Sequence, residues 1–513
     1  MTGAEGFLLA MGLGLFAGIL SGIPAMLAIA GVPLVTALIA AVFGVFDLSF
    51  LNFYPARVWG VMSNRLLMAV PLFILMGVLL ERARLAERML GVLARLTGGS
   101  SRGMALSVLA FSALIAASTG IIGATVVMLV LIGLPAMRAA GVDKRLAAGL
   151  ICASGTLGQV IPPSIVLVLL GDQIGNVYLE AQQRAGNFAP DAVSVGDLFA
   201  GALVPGLMLV AFYALYVALR LRPLPDATRA PRDPVPPAEV LFTFLPPVLL
   251  IVAVLGSILA GVATTTEAAG LGAVGALLLA AHAAEPLRAG RWLIAGAGLA
   301  ALALVGIGMG GMGRAAPGSP AALAALGAAL VIGLGTLWGT LWLWAAGLLQ
   351  GAMTGTIRIS GMVFGIVVAA SLLALVFRGF GGDRMVAEMM AALPGGTYGA
   401  IALVMVLIFL LGFLLEAVEI IYIVIPLLGP PILSTDISPI WFAILIAMNL
   451  QTSFLTPPFG FALFYFRSVA PPDITTLDTY RGVIPVVLLQ LAALGVLIAW
   501  PGLATWPPHQ VFR

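Results

Sequence analysis

This chain is divided into uncharged apolar runs long enough to cross a bilayer, with short polar joints between them. The runs are Gly6–Phe46, Leu66–Leu80, Gly103–Met137, Leu146–Gly171, Leu198–Leu219, Val240–Thr266, Ala268–Ala281, Trp292–Gly313, Ala315–Ile357, Ile359–Phe377, Met389–Leu415, Ile420–Thr435, Ile437–Phe466 and Gly482–Pro508. A spanning helix needs about 20 apolar residues, so most runs supply one span and Gly6–Phe46 supplies two. A bilayer core offers no water to backbone N–H and C=O groups, which leaves helices and closed barrels as the only spanning structures; continuous runs of this length select helices. Composition agrees: charged residues make up 9% of the 513, against about 25% in soluble proteins. Mean hydropathy is +1.16. Soluble enzymes, nucleic-acid binders and secreted disulfide scaffolds are excluded.

The remaining polar residues mark topology rather than chemistry. Lys144 is the single lysine among 24 basic residues, and the arginines fall mostly between apolar runs, where they orient a membrane protein. The net charge of +3 is not gathered on one face, so nucleic acid is not implied. Cys152 stands alone, and His282 and His509 are far apart, so thiolate and histidine metal motifs are absent from the sequence. The opening MTGAEGFLLAMGLGLF lacks a basic stretch; the first apolar run is expected to stay as a helix rather than be removed.

Three runs resist a single-span reading. Gly103–Met137 is long for one helix, short for two with a turn, and carries AASTGIIGA (116–124) at its middle. A re-entrant hairpin over about 105–137 fits it. Leu146–Gly171 is interrupted by ASGTLGQVIPPS (153–164) and Ile437–Phe466 by TSFLTPPFG (452–460). Paired prolines remove amide donors and clash with upstream carbonyls, so both helices, about 146–171 and 437–466, should break near mid-membrane. Unwound backbone survives at that depth only where it is buried or lines a site.

The halves of the chain repeat this order. Pro135 closes the first hairpin 27 residues before Pro162, and Pro426 closes a second candidate, about 400–432, 31 residues before Pro457. A hairpin followed by a helix broken at Pro-Pro, occurring twice, is the pattern of a secondary transporter built from two repeats. We therefore expect an all-α polytopic membrane protein with two inverted repeats, re-entrant hairpins and broken helices. Residues 1–221 form the first repeat, 222–239 a Pro-rich polar linker placed in the cytoplasm by its arginines, and 240–283 the start of the second repeat. Residues 284–346 read as an inserted helix pair and 347–513 as the rest of the second repeat. Residues 172–197, with Asp172, Glu180, Asp191 and Asp197 against Arg184, read as an outside loop. Residues 82–102, with Leu85, Met89, Val92, Leu93 and Leu96 at helical spacing, read as an amphipathic interfacial helix or a basic linker.

The polar residues at the interruptions are the candidate site. The first cluster is Ser118, Thr119, Gly120, Ser154, Gly155, Thr156, Gly158 and Pro162, and the second is Gln451, Thr452, Ser453, Thr456 and Pro457. Hydroxyls and freed carbonyls are hard, uncharged oxygen donors, suited to an alkali cation such as Na⁺. Taken singly, each Ser or Thr is equally explained by close helix packing and bonding to its own backbone. Glu416 and Glu419 lie in an apolar hairpin; they read either as a proton or site-organising pair or as partners of Arg378 or Arg467. Glu267 reads as the first turn of a helix capped by Thr265 or Thr266. The sequence GMGGMG (308–313) has the form of a dinucleotide motif but has no preceding strand, and it reads as helix packing.

NLQTSFLTPPFGFALFYFRSVAP (449–471), LGFLLEAVEIIYIVIPLLGPPI (411–432), GTLGQVIPPSI (155–165) and GVATTTEAAGLGAVGALLL (261–279) resemble the large permease subunit of tripartite ATP-independent periplasmic (TRAP) transporters. The likeness covers roughly 5–280 and 350–505. It implies an elevator-type, Na⁺-driven importer of organic acid anions in the bacterial inner membrane, and no enzymatic activity. The implied partners are a small four-helix membrane subunit, a periplasmic substrate-binding protein and the lipid bilayer, with no nucleic acid and no cofactor beyond Na⁺. Carried over, one Na⁺ site would use Ser118, Thr119, Gly120, Gly155, Gly158 and Pro162. The other would use Thr452, Ser453, Thr456 and Pro457 with Gly412 and the hairpin around Glu416. Thr156, Ser164, Glu416 and Gln451 are the substrate-binding candidates. Thr265 stands where the family usually has Pro, and 284–346 matches no family motif. The alternative is an ion-coupled carrier or channel working without a binding protein.

Overall fold

The computed structural model describes residues 3–83, 85–97, 100–119, 122–221, 235–285, 287–309 and 319–512, with the side chains at 86, 117–119, 306–309, 320 and 321 outside the description. The described residues are helical with turns, and no strand occurs among them. Ten helices are long and apolar enough to cross a membrane, or up to 12 when each of two bent pairs counts as one span. Large apolar side chains on them point outward, among them Leu13, Phe16, Leu38, Leu215 and Leu334. That exposure is what a lipid-facing surface requires.

Gly6–Phe46 supplies two helices, Gly3–Leu20 and Ala25–Val42. Leu48–Met62 and Leu66–Arg82 follow as a pair bent by 55°. The amphipathic stretch is the helix Leu85–Thr97; Met89, Leu90 and Val92 turn inward. Leu96, expected on the apolar face, is exposed, and Leu90 takes the inward place instead.

The first hairpin consists of Ser101–Thr119 and a return arm of Ile122–Met128, a π-helical turn at Leu129–Gly133, and Leu134–Ala139. Its tip residues Gly120 and Ile121 lie outside the described residues. The first broken helix is Lys144–Thr156, then a 3₁₀ turn at Leu157–Gln159, then Ile165–Arg184. Its second half corrects two expectations. The helix does not stop near 171, and 172–197 is not all loop: only 185–194 connects it to Val195–Arg220. Asp172 and Glu180 suggested a loop, but both are paired on the helix, as shown below.

The second half repeats the order. Leu348–Gly379 is a single long helix; a short amphipathic helix, Gly382–Ala391, precedes the hairpin Gly396–Leu411 and Ala417–Leu428 with Pro430–Leu433. Pro439–Ser453 and Phe461–Val469 form the second broken helix, followed by Thr476–Ala499 and Gly502–Phe512. The short helix is the counterpart of Leu85–Thr97 and was not foreseen, because ten residues with Asp383, Arg384 and Glu388 leave no apolar run.

Side-chain contacts fix the relative direction of the broken helices. Lys144 and Arg145 pair with Asp478, and Arg138 with Asp473, so the first broken helix begins where the second ends. Gln182 donates to the carbonyl of Leu433, so the first ends where the second begins. The repeats are inverted. Tyr216, near the end of Val195–Arg220, lies close to Asp143. Arg220, at the end of Val195–Arg220, therefore shares one side with Lys144 and Arg145, which the positive-inside rule makes cytoplasmic.

Two glycines set how closely this core packs. A Cβ on Gly149 would lie 2.0 Å from the carbonyl oxygen of Gly482, and one on Gly482 would lie 2.0 Å from that of Arg145. Lys144–Thr156 and Thr476–Ala499 thus cross backbone to backbone, the approach that small residues allow in membranes. The helix pair Arg288–Met309 and Pro320–Ala345 packs on Thr265–Ala284. Its entry is pinned by Glu285, which is fully buried and accepts hydrogen bonds from the Trp338 indole at 2.9 Å and the Leu287 amide at 2.9 Å. Thr265–Ala284 is capped by Thr264, not by Thr265 or Thr266: Thr264 and Glu267 form a reciprocal capping box, while Thr266 donates to the carbonyl of Arg65. Of GMGGMG, 308 and 309 fall within the described helix, and 310–313 lie outside the described residues.

Candidate functional site

The site is built where two hairpins meet two broken helices. At the first break, Pro162-Pro163 has a cis peptide bond, and the chain re-enters helix at Ile165. Ser154, Thr156 and Ser164 are fully buried, as are Gly155 and Gly158 beside them. Thr156 Oγ1 donates to the carbonyl of Ala153 at 2.8 Å, and Ser164 Oγ to that of Gln159 at 3.1 Å. Ser154 Oγ and Gln159 Oε1, both buried, make no hydrogen bond among the described residues. A buried polar atom left without a partner costs about 1–3 kcal/mol, so these two oxygens are open acceptors at the helix break.

The second break repeats the plan with different residues. Pro457-Pro458 also has a cis peptide bond. Thr452 Oγ1 donates to the carbonyl of Met448 at 2.9 Å, and Thr456 Oγ1 to that of Thr452 at 2.7 Å. Ser453 Oγ reaches across to the second hairpin and donates to the carbonyl of Phe409 at 2.6 Å. Asn449, one turn earlier, donates to the carbonyl of Met405 at 2.7 Å. These two staples lie four residues apart on both helices. They hold the hairpin so close that a Cβ on Gly412 would sit 2.3 Å from Ser453 Oγ. Gln451 is fully buried and faces the Tyr213 hydroxyl; neither amide atom reaches full hydrogen-bond geometry with a partner among the described residues. Tyr213 is itself buried and accepts from Gln490 Nε2 at 2.7 Å.

Glu416 and Glu419 form the tip of the second hairpin. The Glu416 carboxylate accepts from the backbone amide of Glu419, and Glu419 Oε2 accepts from the amide of Glu416 at 3.2 Å, a reciprocal cap on Ala417–Leu428. The expected arginine partners are engaged elsewhere: Arg378 pairs with Glu180, and Arg467 donates to the carbonyl of Ile474. That reading of the two glutamates is therefore replaced by helix capping, which uses the positive end of the helix dipole.

Of the first hairpin's candidates, Gly120 and the side chains of Ser118 and Thr119 lie outside the described residues. Its return arm is described, and it touches both broken helices. A Cβ on Gly155 would meet Val126 Cγ2 at 2.3 Å, and one on Gly123 would meet the Tyr465 ring at 2.8 Å. Tyr465 is also an electrostatic neighbour of Glu416. One aromatic ring on the second broken helix thus stands between the two hairpins. The broken helices approach each other where Cys152 Sγ lies 3.9 Å from the carbonyl of Ala462.

The structure therefore gathers Gly155, Thr156, Gly158, Pro162 and Ser164 at one break, and Gln451, Thr452, Ser453, Thr456 and Pro457 at the other, with Gly412 and Glu416 beside the second. Tyr465 and Asn449 were missed. The spacing of Asn449 and Ser453 was a usable signal; Tyr465 was hidden in FALFYF, an apolar stretch in which nothing distinguishes one aromatic from the next.

Residues 13–503 match the family described as "Tripartite ATP-independent periplasmic transporter, DctM component". The chain is 27% identical over 449 residues to the C4-dicarboxylate TRAP transporter large permease protein DctM of Rhodobacter capsulatus, covering 86% of this chain and 87% of that protein. It is 26% identical over 442 residues to the isethionate TRAP transporter permease protein DctMQ of Oleidesulfovibrio alaskensis, covering 83% of this chain and 56% of that longer protein. Among solved structures it shares the fold of the Alcanivorax borkumensis YdaH transporter, with a TM-score of 0.51, 15% identity and 90% of each chain covered. With its spans, inverted repeats and two Pro-Pro breaks, the chain belongs to the TRAP transporter large permease family and is a multi-pass protein of the bacterial inner membrane.

Proposed function

We propose that this chain is the membrane subunit that carries out Na⁺-coupled import of organic acid anions, carboxylates or keto acids, handed over by a periplasmic binding protein and completed by a small four-helix membrane subunit. The observation that carries this reading is the buried oxygen chemistry at both breaks, where Ser154 Oγ and Gln159 Oε1 at the first and Gln451 Oε1 at the second reach no full hydrogen-bond geometry among the described residues. Among the described residues no group of three His, Cys, Asp or Glu side chains is placed to hold a metal ion. Neutral hydroxyl, amide and carbonyl oxygens are what remains, and they suit Na⁺. Ser154, Thr156 and backbone around Gly158 would hold one ion; Thr452, Thr456 and backbone around Gly412 would hold the other. The ions supply positive charge in a site short of lysine and arginine, and that charge favours an anionic substrate.

Coupling follows from differential binding. Na⁺ draws the hairpins onto the broken helices, and the substrate binds the ordered state better, so each raises the other's affinity. The hairpins and broken helices would move as one body against the remaining helices, an elevator motion. Relatives named for C4-dicarboxylate and for isethionate show that one scaffold serves carboxylates and a sulfonate. The expectation for this chain is therefore a small organic anion selected mainly by its binding protein.

The test is uptake into proteoliposomes containing this chain and its small subunit, with binding protein loaded with labelled organic acids, with and without an inward Na⁺ gradient. Uptake that requires both Na⁺ and binding protein supports the reading. Uptake without the binding protein replaces it with a conventional carrier. Uptake driven by a proton gradient alone moves the coupling to Glu416 and Glu419.

A further inference from the structure

One helix face outside the breaks carries a row of polar groups that transport chemistry does not use. Along Ile165–Arg184, the residues Asp172, Asn176, Glu180 and Arg184 follow one another at intervals of four and so share a face. Three of them reach helices that the elevator reading keeps still. Asp172 is met by Asn64, at the bend between Leu48–Met62 and Leu66–Arg82. Glu180 pairs with Arg378, at the end of Leu348–Gly379, at 2.9 Å. Arg184 lies 3.4 Å from Asp383, on Gly382–Ala391.

The first of this row is Asp172, which is buried and pairs with no cation among the described residues. It is stabilised by four neutral donors. Oδ1 accepts from Asn64 Nδ2 at 2.8 Å and Asn176 Nδ2 at 3.4 Å; Oδ2 accepts from Tyr422 OH at 3.1 Å and Gln173 Nε2 at 3.2 Å. A carboxylate has about four lone-pair positions, so this one is filled. The Asn64 amide is oriented independently, because its Oδ1 accepts from the Leu66 amide at 3.0 Å, which turns Nδ2 toward Asp172. Tyr422 belongs to the return arm of the second hairpin, Asp172 to the first broken helix, and Asn64 to the still helices. Three parts of the fold thus meet on one carboxylate.

We propose that Asp172 is a positioning residue: a clasp through which Asn64 holds the second hairpin and the first broken helix in the conformation described, and which must release Asn64 when the site changes sides. This rests on the elevator reading for the division into moving and still parts. Asp172, Tyr422, Asn176 and Gln173 travel together and keep their mutual bonds; the Asn64 bond alone crosses the sliding surface at this point. Its loss leaves a buried oxygen short of one donor, which makes the described conformation a defined resting position rather than one point on a smooth slide.

The test measures proximity, not transport. In a Cys152→Ala background, Glu180→Cys and Arg378→Cys are joined by a short bis-methanethiosulfonate linker in the full chain with its small subunit in proteoliposomes. These two substitutions remove the outer ion pair and leave Asp172 as the main hold. Asn64→Ala, or Asp172→Asn, which places donor against donor, should slow linking about fivefold or more. Tyr422→Phe should leave it within about twofold, since Tyr422 and Asp172 move together. Exchanging the pair, Asn64→Asp with Asp172→Asn, should restore the rate, an outcome that misfolding cannot imitate. Unchanged linking in Asn64→Ala, or an equal loss in Tyr422→Phe, overturns the clasp. No ion gradient or substrate is needed, so failure of Na⁺-coupled uptake would leave this readout intact and count against the transport reading alone.

Discussion

The two hairpins occupy equivalent places in inverted repeats, yet different chemistry holds each against its broken helix. Among the described residues the first is fitted by shape: its return arm lies on Gly155 through Val126 and on Tyr465 through Gly123, with glycine making room each time. The second is fitted by hydrogen bonds: Asn449 and Ser453 donate to two carbonyls one turn apart, and Glu416 and Glu419 cap the tip. The architecture therefore asks only that a hairpin lie close to a broken helix. A membrane interior rewards close packing and satisfied polar groups alike, and each repeat uses a different one.

The comparison can be broken most forcefully at the glycine crossing that supports both units. Gly149→Ala sets a methyl against the backbone of Gly482, which has no side chain to move aside. The expected loss is about 4 kcal/mol or more, seen as failure to recover monodisperse protein in detergent. Normal recovery and melting would mean the crossing is looser than 2.0 Å suggests.

Next are the hairpin contacts, where the repeats should respond differently. Gly155→Ala and Gly412→Ala should each cost about 1–3 kcal/mol by overpacking. Trimming the first obstacle, Val126→Ala, should restore much of the melting temperature. Trimming the second, Ser453→Gly, should restore less, because the bond to the Phe409 carbonyl goes with it. Equal rescue in both would erase the distinction between shape and hydrogen bonding.

Asn449→Leu removes the second donor to the Met405 carbonyl, which keeps its place in the helix Gly396–Leu411, and should cost about 0.5–1.5 kcal/mol, read by thermal melting of the purified chain. An unchanged melting temperature would show that this staple adds nothing beyond packing. Ser154→Ala is expected to have the smallest effect on stability, within about 0.5 kcal/mol, because the hydroxyl makes no hydrogen bond to lose. It should instead raise the Na⁺ concentration for half-maximal uptake about tenfold, equivalent to ~1.4 kcal/mol of ion binding. A fall in stability with unchanged Na⁺ dependence would make Ser154 a packing residue.

Much of the architecture is legible in the sequence, for a physical reason. Hydrocarbon demands long apolar runs, and Pro-Pro inside such a run permits few outcomes, so spans, hairpins and breaks can be read from residue order. Wherever charge appears, that logic misleads. Asp172 and Glu180 looked like loop residues because a charge in a span is costly; their partners Asn64, Tyr422 and Arg378 are between about 100 and 250 positions away, and no local pattern reveals them. The short helix Gly382–Ala391 was hidden for the same reason. Within the candidate site, the breaks were legible, while the division of labour among hydroxyls was not. Thr156 and Thr452 bond within their own helix, Thr456 reaches back from the break to the carbonyl of Thr452, Ser453 bonds to the hairpin, and Ser154 makes no hydrogen bond among the described residues.

The helix pair between Thr265–Ala284 and Leu348–Gly379 supplies two candidate spans, held at their root by Glu285 and Trp338, and two crossings would return the chain to the side it left. A passenger with an even number of crossings leaves the direction of everything downstream unchanged. A gene can gain or lose such a segment in one event without turning half the protein upside down. The same property makes it a convenient mounting point: on the elevator reading, a fluorophore or affinity tag carried there would ride on helices that stay still while the transported cargo goes past.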